Sequence, residues 1–258
     1  MDRRFSDVNT VVFDIDQTLL PWIEMKRAAI KGAARQISAI EPGLSYDAVR
    51  AAIIEVYRQN GVEYQFVLQD ALAQLGVEPY KRDRLVRNGR RGYLDEKNKQ
   101  MKPYGTVVPT LSALRERGFN LCAMSDATQE EVWERLVQTS LDLYFGYNVV
   151  AAHDGIRKPD PRFFQEALTY FNIQPHQSMM VGDVPSRDIK GAKQAGMRTA
   201  WIKWDINYDG DFDEIEHRLF YPAQRIVINP FEEPDTELTN LNELLDILPR
   251  HAKKPNPS

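Results

Sequence analysis

Residues 10–19, TVVFDIDQTL, decide how the chain folds. The run from Thr10 to Ile15 is β-branched and aromatic with no alternating polar face, the pattern of a strand covered on both sides in a parallel sheet. Three later runs share that character: FNLCAM at 119–124, SMMVG at 178–182 and TAWIK at 199–203. Helix-like stretches precede most of them. In Leu111–Arg117 before Gly118, and in Ile189–Ala195 before Gly196, apolar residues recur at helical spacing and a glycine stands where a left-handed C-cap belongs. Strands alternating with helices give βαβ units and an α/β fold with a mostly parallel sheet.

Between the first strand and the second helix-like stretch the pattern changes. From about Trp22 to Pro103 there are long helical periodicities (Met25–Ile40, Ser45–Asn60, Tyr64–Leu75, Lys81–Tyr93) and no convincing strand. This reads as an all-helical insertion. Its place in the chain sets it beside the C-terminal edge of the sheet, where open α/β proteins bind ligands. The polar, proline-containing tail HAKKPNPS, 251–258, is expected to fray.

With 258 residues, 43% of them hydrophobic, the chain has material for one sizeable core or for a core and a smaller domain. The formal charge is −4 and no basic block is long enough for a nucleic-acid footprint, so a small-molecule substrate is the expectation. One cysteine, Cys122, excludes an intramolecular disulfide and fits a reducing compartment; it lies in an apolar run and reads as core. No signal-peptide core and no apolar run of membrane-spanning length are present, so a cytosolic, soluble protein is expected.

Phosphoryl transfer needs an in-line nucleophile, a cation for the non-bridging oxygens, positive charge near the reacting centre and a proton carrier. Asp14 and Asp16 stand two apart, so in extended backbone both carboxylates project to one side, one fit to be a nucleophile and the other an acid/base. Alone, such a pair also suits a solvated turn. VGDVPSRD, 181–188, delivers Asp183 at a strand break, with Asp188 opening the next helix. Asp14 and Asp183 from neighbouring strand ends make a magnesium site, whereas Asp188 is equally explained as a helix N-terminal charge. Ser125 can donate its hydroxyl to a phosphate oxygen, and Lys158, held in a proline-stiffened loop, can screen charge where nucleophile and phosphate meet.

FDIDQTL, MSDAT, RKPDPRFF and GDVPSRD, in that order, resemble the four motifs of the haloacid dehalogenase-like hydrolase superfamily. The resemblance covers roughly residues 8–21 and 104–204, and the helical insertion is similar to the cap of the superfamily's cap-type-1 phosphatases. It implies a Rossmann-like core with helices on both faces, 1–21 and 104–250, and a helical cap, 22–103. By resemblance Asp14 is the nucleophile and a magnesium ligand, Asp16 the general acid/base and a ligand through its carbonyl, and Thr18 a supporting hydroxyl. Ser125 and Lys158 would bind phosphate, with Asp126 beside them at the substrate, Asp183 would bind magnesium directly and Asp188 would support the metal shell. Asp16 itself points to phosphate-ester chemistry, since dehalogenating relatives carry no aspartate acid/base there. Two positions depart from the pattern: Gln17, where glycine or asparagine is frequent, and Asp126, where many relatives have asparagine.

Residues 205–216, DINYDGDFDEIE, match an EF-hand loop, with Asp205, Asn207, Asp209, Gly210 and Glu216 at positions 1, 3, 5, 6 and 12. Calcium binding and an acidic surface turn both fit that pattern. The four histidines show no metal-ligand spacing, and Arg90, Arg91 and Tyr93 form a compact group on a helical stretch whose arginines read as solvated. The expected activity is magnesium-dependent hydrolysis of a small phosphomonoester through an aspartyl-phosphate; the alternatives are a phosphomutase and a catalytically idle, calcium-responsive binding protein.

Overall fold

The computed structural model describes residues 3–62, 64–204 and 233–250. The acidic loop at 205–216 and the tail at 251–258 lie outside them. Six strands, β1 (Thr10–Phe13), β2 (Asn120–Ser125), β3 (Val149–Ala151), β4 (Ser178–Gly182), β5 (Arg198–Ile202) and β6 (Thr236–Leu238), form one sheet in the order β3-β2-β1-β4-β5-β6. Every pairing is parallel, with Val12 opposite both Cys122 and Met180. β1 and β4 are buried along their whole length, as the absence of a polar face in TVVF and SMMVG requires.

The expected α/β class is therefore observed. Four helices fall between Pro21 and Lys102: α1 (Trp22–Ile40), α2 (Tyr46–Asn60), α3 (Val67–Gln74) and α4 (Pro79–Gln100). Among the sheet crossovers and after β6 lie α5 (Val107–Glu116), α6 (Gln129–Gln138), α7 (Asp142–Phe145), α8 (Pro161–Tyr170), α9 (Lys190–Gln194) and α10 (Leu244–Ile247). Both faces of the sheet are covered. On one, Val12, Cys122, Met124 and Met180 pack with Phe163 and Phe164 of α8; on the other, Phe13 meets Phe145 of α7 edge-on at 6.2 Å. Cys122 is a core residue whose thiol burial pushes its pKa up to about 12. Gly118 and Gly196, at φ 88° and 80°, end the helical turns before β2 and β5 as left-handed caps.

The described residues group into two compact units, 3–21 with 102–204 and 233–250, and 22–62 with 64–101. Within the second unit α1 crosses α4 at Gly32 and Gly92, so closely that a Cβ on Gly92 would overlap the Gly32 carbonyl oxygen and Gln36 Cγ. Replacing a helical glycine by alanine ordinarily gains about 1 kcal/mol in propensity, but overpacking costs about 1–3 kcal/mol and a backbone carbonyl cannot swing aside. Gly92→Ala is thus expected to lower stability, while Gly43→Ala, which meets only Glu41 Oε1 at 3.8 Å, does not. Paired thermal melts check this; equal melting temperatures would contradict the close crossing. In the same unit Lys26 Nζ donates to the Val62 carbonyl at 2.5 Å and lies 4.5 Å from the Tyr57 ring centre, with Trp22 and Tyr93 at 5.7 and 5.8 Å. Tyr93 and Trp22 thereby build an aromatic surround for a buried lysine, and Arg90 and Arg91 are exposed. No helix among the described residues is long and apolar enough to cross a membrane.

Candidate active site

The strand order reverses direction at β1: the chain steps outward through β2 to β3, returns to β4 on the other side of β1, and continues to β5 and β6. Crevices for ligands form at such a switch point, outside the carboxyl ends of the strands. Asp14 follows β1, Ser125 ends β2 and Asp183 follows β4, so three residues far apart in sequence come to one crevice. Asp14 N still donates to Val181 O at 2.9 Å, which prolongs the ladder into the site.

Asp14, Asp183 and Asp188 are buried, and one carboxylate oxygen of each lies within 4.8 Å of the others. Asp188 is drawn in by a local device. The chain from Pro185 to Ile189 makes a π-type turn, and Val184 N donates to Asp188 Oδ2 at 2.9 Å. Gly182 makes room, since a Cβ there would overlap the Asp188 carboxylate. Asp183 is anchored through its carbonyl by Trp201 Nε1 at 2.9 Å. Asp188 is thus an acid of the first turn that takes the N–H of the N-cap residue Val184 and also faces the cluster.

Lys158 closes the cluster. Its side chain is 2% exposed, and its Nζ donates to Asp14 Oδ1 at 2.5 Å and to Asp188 Oδ1 at 2.6 Å. Burial disfavours its charge, but Asp14, Asp188 and Asp126 outweigh that and raise its pKa. The carboxylates feel the reverse. Burial, and next the repulsion from Asp188, push Asp14 up to about 7 against the pull of Lys158. Asp183 is raised well above the carboxylate range by burial and then by Asp14 and Asp188. The site holds more negative charge than its one buried lysine balances, and Asp14 Oδ2, buried, meets no hydrogen-bond partner among the described residues. A surplus of buried, closely set carboxylate oxygens with an orphaned one among them fits a hard divalent cation.

Asp16 has a cation beside it other than Lys158. The Asp16 carboxylate turns to Arg135 of α6, whose Nε lies 3.1 Å from Oδ1. Directly after Asp16, Gln17 takes φ 61°, donates through its backbone to Leu20 O at 2.8 Å, and donates through Nε2 to Tyr104 Oη at 2.7 Å. The positive φ gives the physical reason why glycine or asparagine suits this position, and the tyrosine bond supports the glutamine that stands there. Tyr104 stacks on Trp204 at 4.2 Å, and Trp204 Nε1 donates to Thr18 O at 3.2 Å. The Thr18 hydroxyl is buried with no hydrogen-bond partner among the described residues.

Ser125 is buried, and its hydroxyl accepts from Ala127 N at 3.1 Å, which leaves its own proton to donate. Asp126 is braced: Oδ1 accepts from Lys158 N at 2.9 Å and Oδ2 pairs with Arg187 at 3.2 Å. Its carboxylate ties the loop after β2 to the loops that carry Lys158 and Asp188. A second acid at this point is thus neutralised by the protein's own groups.

A family model described as haloacid dehalogenase-like hydrolase matches residues 11–202. The chain belongs to that family. The hydrolase is 31% identical over 248 residues to a glyceraldehyde 3-phosphate phosphatase of Methanopyrus kandleri, covering 95% of this chain and 99% of that one. It is 26% identical to the pyrophosphatase PpaX of Anoxybacillus flavithermus over 94% of this chain and 97% of that one. Among solved structures, a phosphatase of the same superfamily from Thermococcus onnurineus superposes with a TM-score of 0.58 at 24% identity, over 93% of this chain and 97% of that one, a likeness of fold. Two residues of this hydrolase's site lay outside the sequence reading. Arg135 sits three residues after Val132 and just before Leu136, both buried, and this spacing was the available signal that it faces inward. Arg187 had none beyond its place beside Asp188.

Proposed function

We propose that the protein is a magnesium-dependent phosphohydrolase that cleaves a small phosphomonoester through an aspartyl-phosphate on Asp14. The observation that carries this reading is the buried set of Asp14, Asp183 and Asp188 with Lys158 between two of them, at the switch point of the sheet. The names of the two relatives, a phosphatase and a pyrophosphatase, support phosphate as the group transferred.

In this reading Asp14 attacks phosphorus with its carboxylate, and Asp16 gives a proton to the departing alcohol and later takes one from the water that hydrolyses the acyl phosphate. Lys158, the Ser125 hydroxyl and Thr18 orient the phosphate, and Lys158 holds Asp14 in line. Asp14, Asp183, Asp188 and the Asp16 carbonyl would hold magnesium, which when bound draws charge from the non-bridging oxygens. Residues 22–103 would serve as the cap, a role proposed from the family resemblance.

The test is phosphate release with magnesium across sugar phosphates, nucleotides, phosphoglycolate, amino-acid phosphates and glyceraldehyde 3-phosphate. Free phosphate above the metal-free level is the expected result; transfer back to a bisphosphorylated sugar would indicate a mutase, and no release from any ester would overturn the reading.

The metal reading also predicts how stability depends on pH. The folded, metal-free chain keeps a proton on Asp14 up to about pH 7, whereas the unfolded chain gives it up near the ordinary value of 3.8. The folded state therefore binds more protons in that window, so Asp14 makes the metal-free chain less stable as pH rises from about 4 to about 7, and level above it. Magnesium needs the deprotonated ligand, so the gain in melting temperature on adding magnesium should be larger at about pH 8 than at about pH 5. Equal gains at both would count against a site built on Asp14.

A further inference from the structure

The side chain of Arg135 is 4% exposed and shares the inward face of α6 with Val132 and Leu136. A guanidinium stays charged at any working pH, and burying one without an anion costs several kcal/mol. An arginine so placed has a task beyond packing. Its Nε stands 3.1 Å from Asp16 Oδ1. The backbone of Asp16 is fixed separately, by the single parallel bridge to Leu20 and by the left-handed turn at Gln17. One device places the residue, and a second aims its carboxylate.

The division extends across the site. Lys158 engages Asp14 and Asp188, while Arg135 engages Asp16, so the two aspartates of the first motif are each directed by their own buried cation. A proton carrier works only within hydrogen-bond reach of the atom it serves, and a misplacement of about 1 Å can cost about a hundredfold in rate. We infer that Arg135 is a positioning residue for Asp16: the ion pair with this buried guanidinium aims the carboxylate that carries the proton. This rests on the role given to Asp16 above. Arg135 acts through that carboxylate and has no chemical step of its own.

A double-mutant cycle tests it, with Arg135→Gln, Asp16→Asn and their combination, plus Arg135→Lys, on an alkyl phosphate the protein hydrolyses. Arg135→Gln should lower kcat by roughly 10- to 100-fold, part of the range that acid/base groups supply, with KM within about twofold. Arg135→Lys should recover much of that loss. In the Asp16→Asn background, Arg135→Gln should cost nothing further. Leaving-group dependence gives a second readout: the loss in kcat/KM should be smaller on an aryl phosphate, whose alcohol departs without a proton. The combined variant removes both partners of the pair, so it is expected to fold even where Arg135→Gln alone does not, and its kcat against that of Asp16→Asn then decides. An equal loss from Arg135→Gln in both backgrounds, or a loss in the combined variant of tenfold or more against Asp16→Asn, overturns the inference. If Asp16→Asn itself leaves kcat unchanged, it is the role of Asp16 that falls.

Discussion

Asp14→Asn is expected to abolish turnover and to leave the fold standing. Asparagine keeps the shape of the side chain and loses the nucleophilic oxygen, and loss of a covalent nucleophile lowers kcat by roughly four or more orders of magnitude. Stability should change little or rise, because the substitution removes one of three carboxylates that burial holds together and leaves Lys158 its bond to Asp188 at 2.6 Å. The same variant should lose most of the magnesium-induced rise in melting temperature. Phosphate release and thermal melts with and without magnesium measure all three. Wild-type turnover in this variant would end the aspartyl-phosphate reading.

Lys158→Met is expected to give the largest loss of stability. The two side chains have similar volume, so the cavity left behind is small and the effect is electrostatic. With the lysine gone, Asp14 and Asp188 share a site where their side chains are 7% and 2% exposed, with no cation between them. Removing one partner of a buried pair costs about 3–5 kcal/mol because it strands the other charge. Urea denaturation at about pH 8 measures this. The deficit should shrink as pH falls, since protonated carboxylates no longer repel each other. A loss under about 1 kcal/mol would show that water or a rearranged side chain replaces the lysine.

The sheet was legible where burial on both faces writes an unbroken apolar run, as in TVVF, NLCAM and SMMVG. β3 and β6 were not. Each has three residues, VVA and TEL, too few for a period to register, and their strand character comes from pairing with β2 and β5. The long helices at 22–100 were readable because many turns repeat the same spacing. Motif order likewise brought forward Asp14, Lys158, Asp183 and Asp188, which the fold gathers in one cluster. What one chain segment cannot show is pairing across distance. The second acid at Asp126 reads as a group facing the substrate, and the contacts of its two oxygens with Lys158 N and Arg187 are visible only in the fold. Arg135 in QEEVWERLVQ reads as one more charge on a polar helix until Asp16 is found beside it.

The central place of β1 has a consequence for how the molecule is made. β1 leaves the ribosome first among the strands, yet its neighbours begin at Asn120 and Ser178, and the ion pair of Asp14 spans 144 residues. Until those segments are synthesised, TVVF has no sheet partner on either edge. The helices from Trp22 to Gln100 belong to one compact unit and are free to form during that interval, whereas parallel pairing across so long a loop is slow. Until β2 is made the nascent chain therefore carries an unpaired, aggregation-prone strand, and the buried carboxylate cluster is complete only once Asp183 and Asp188 have been added.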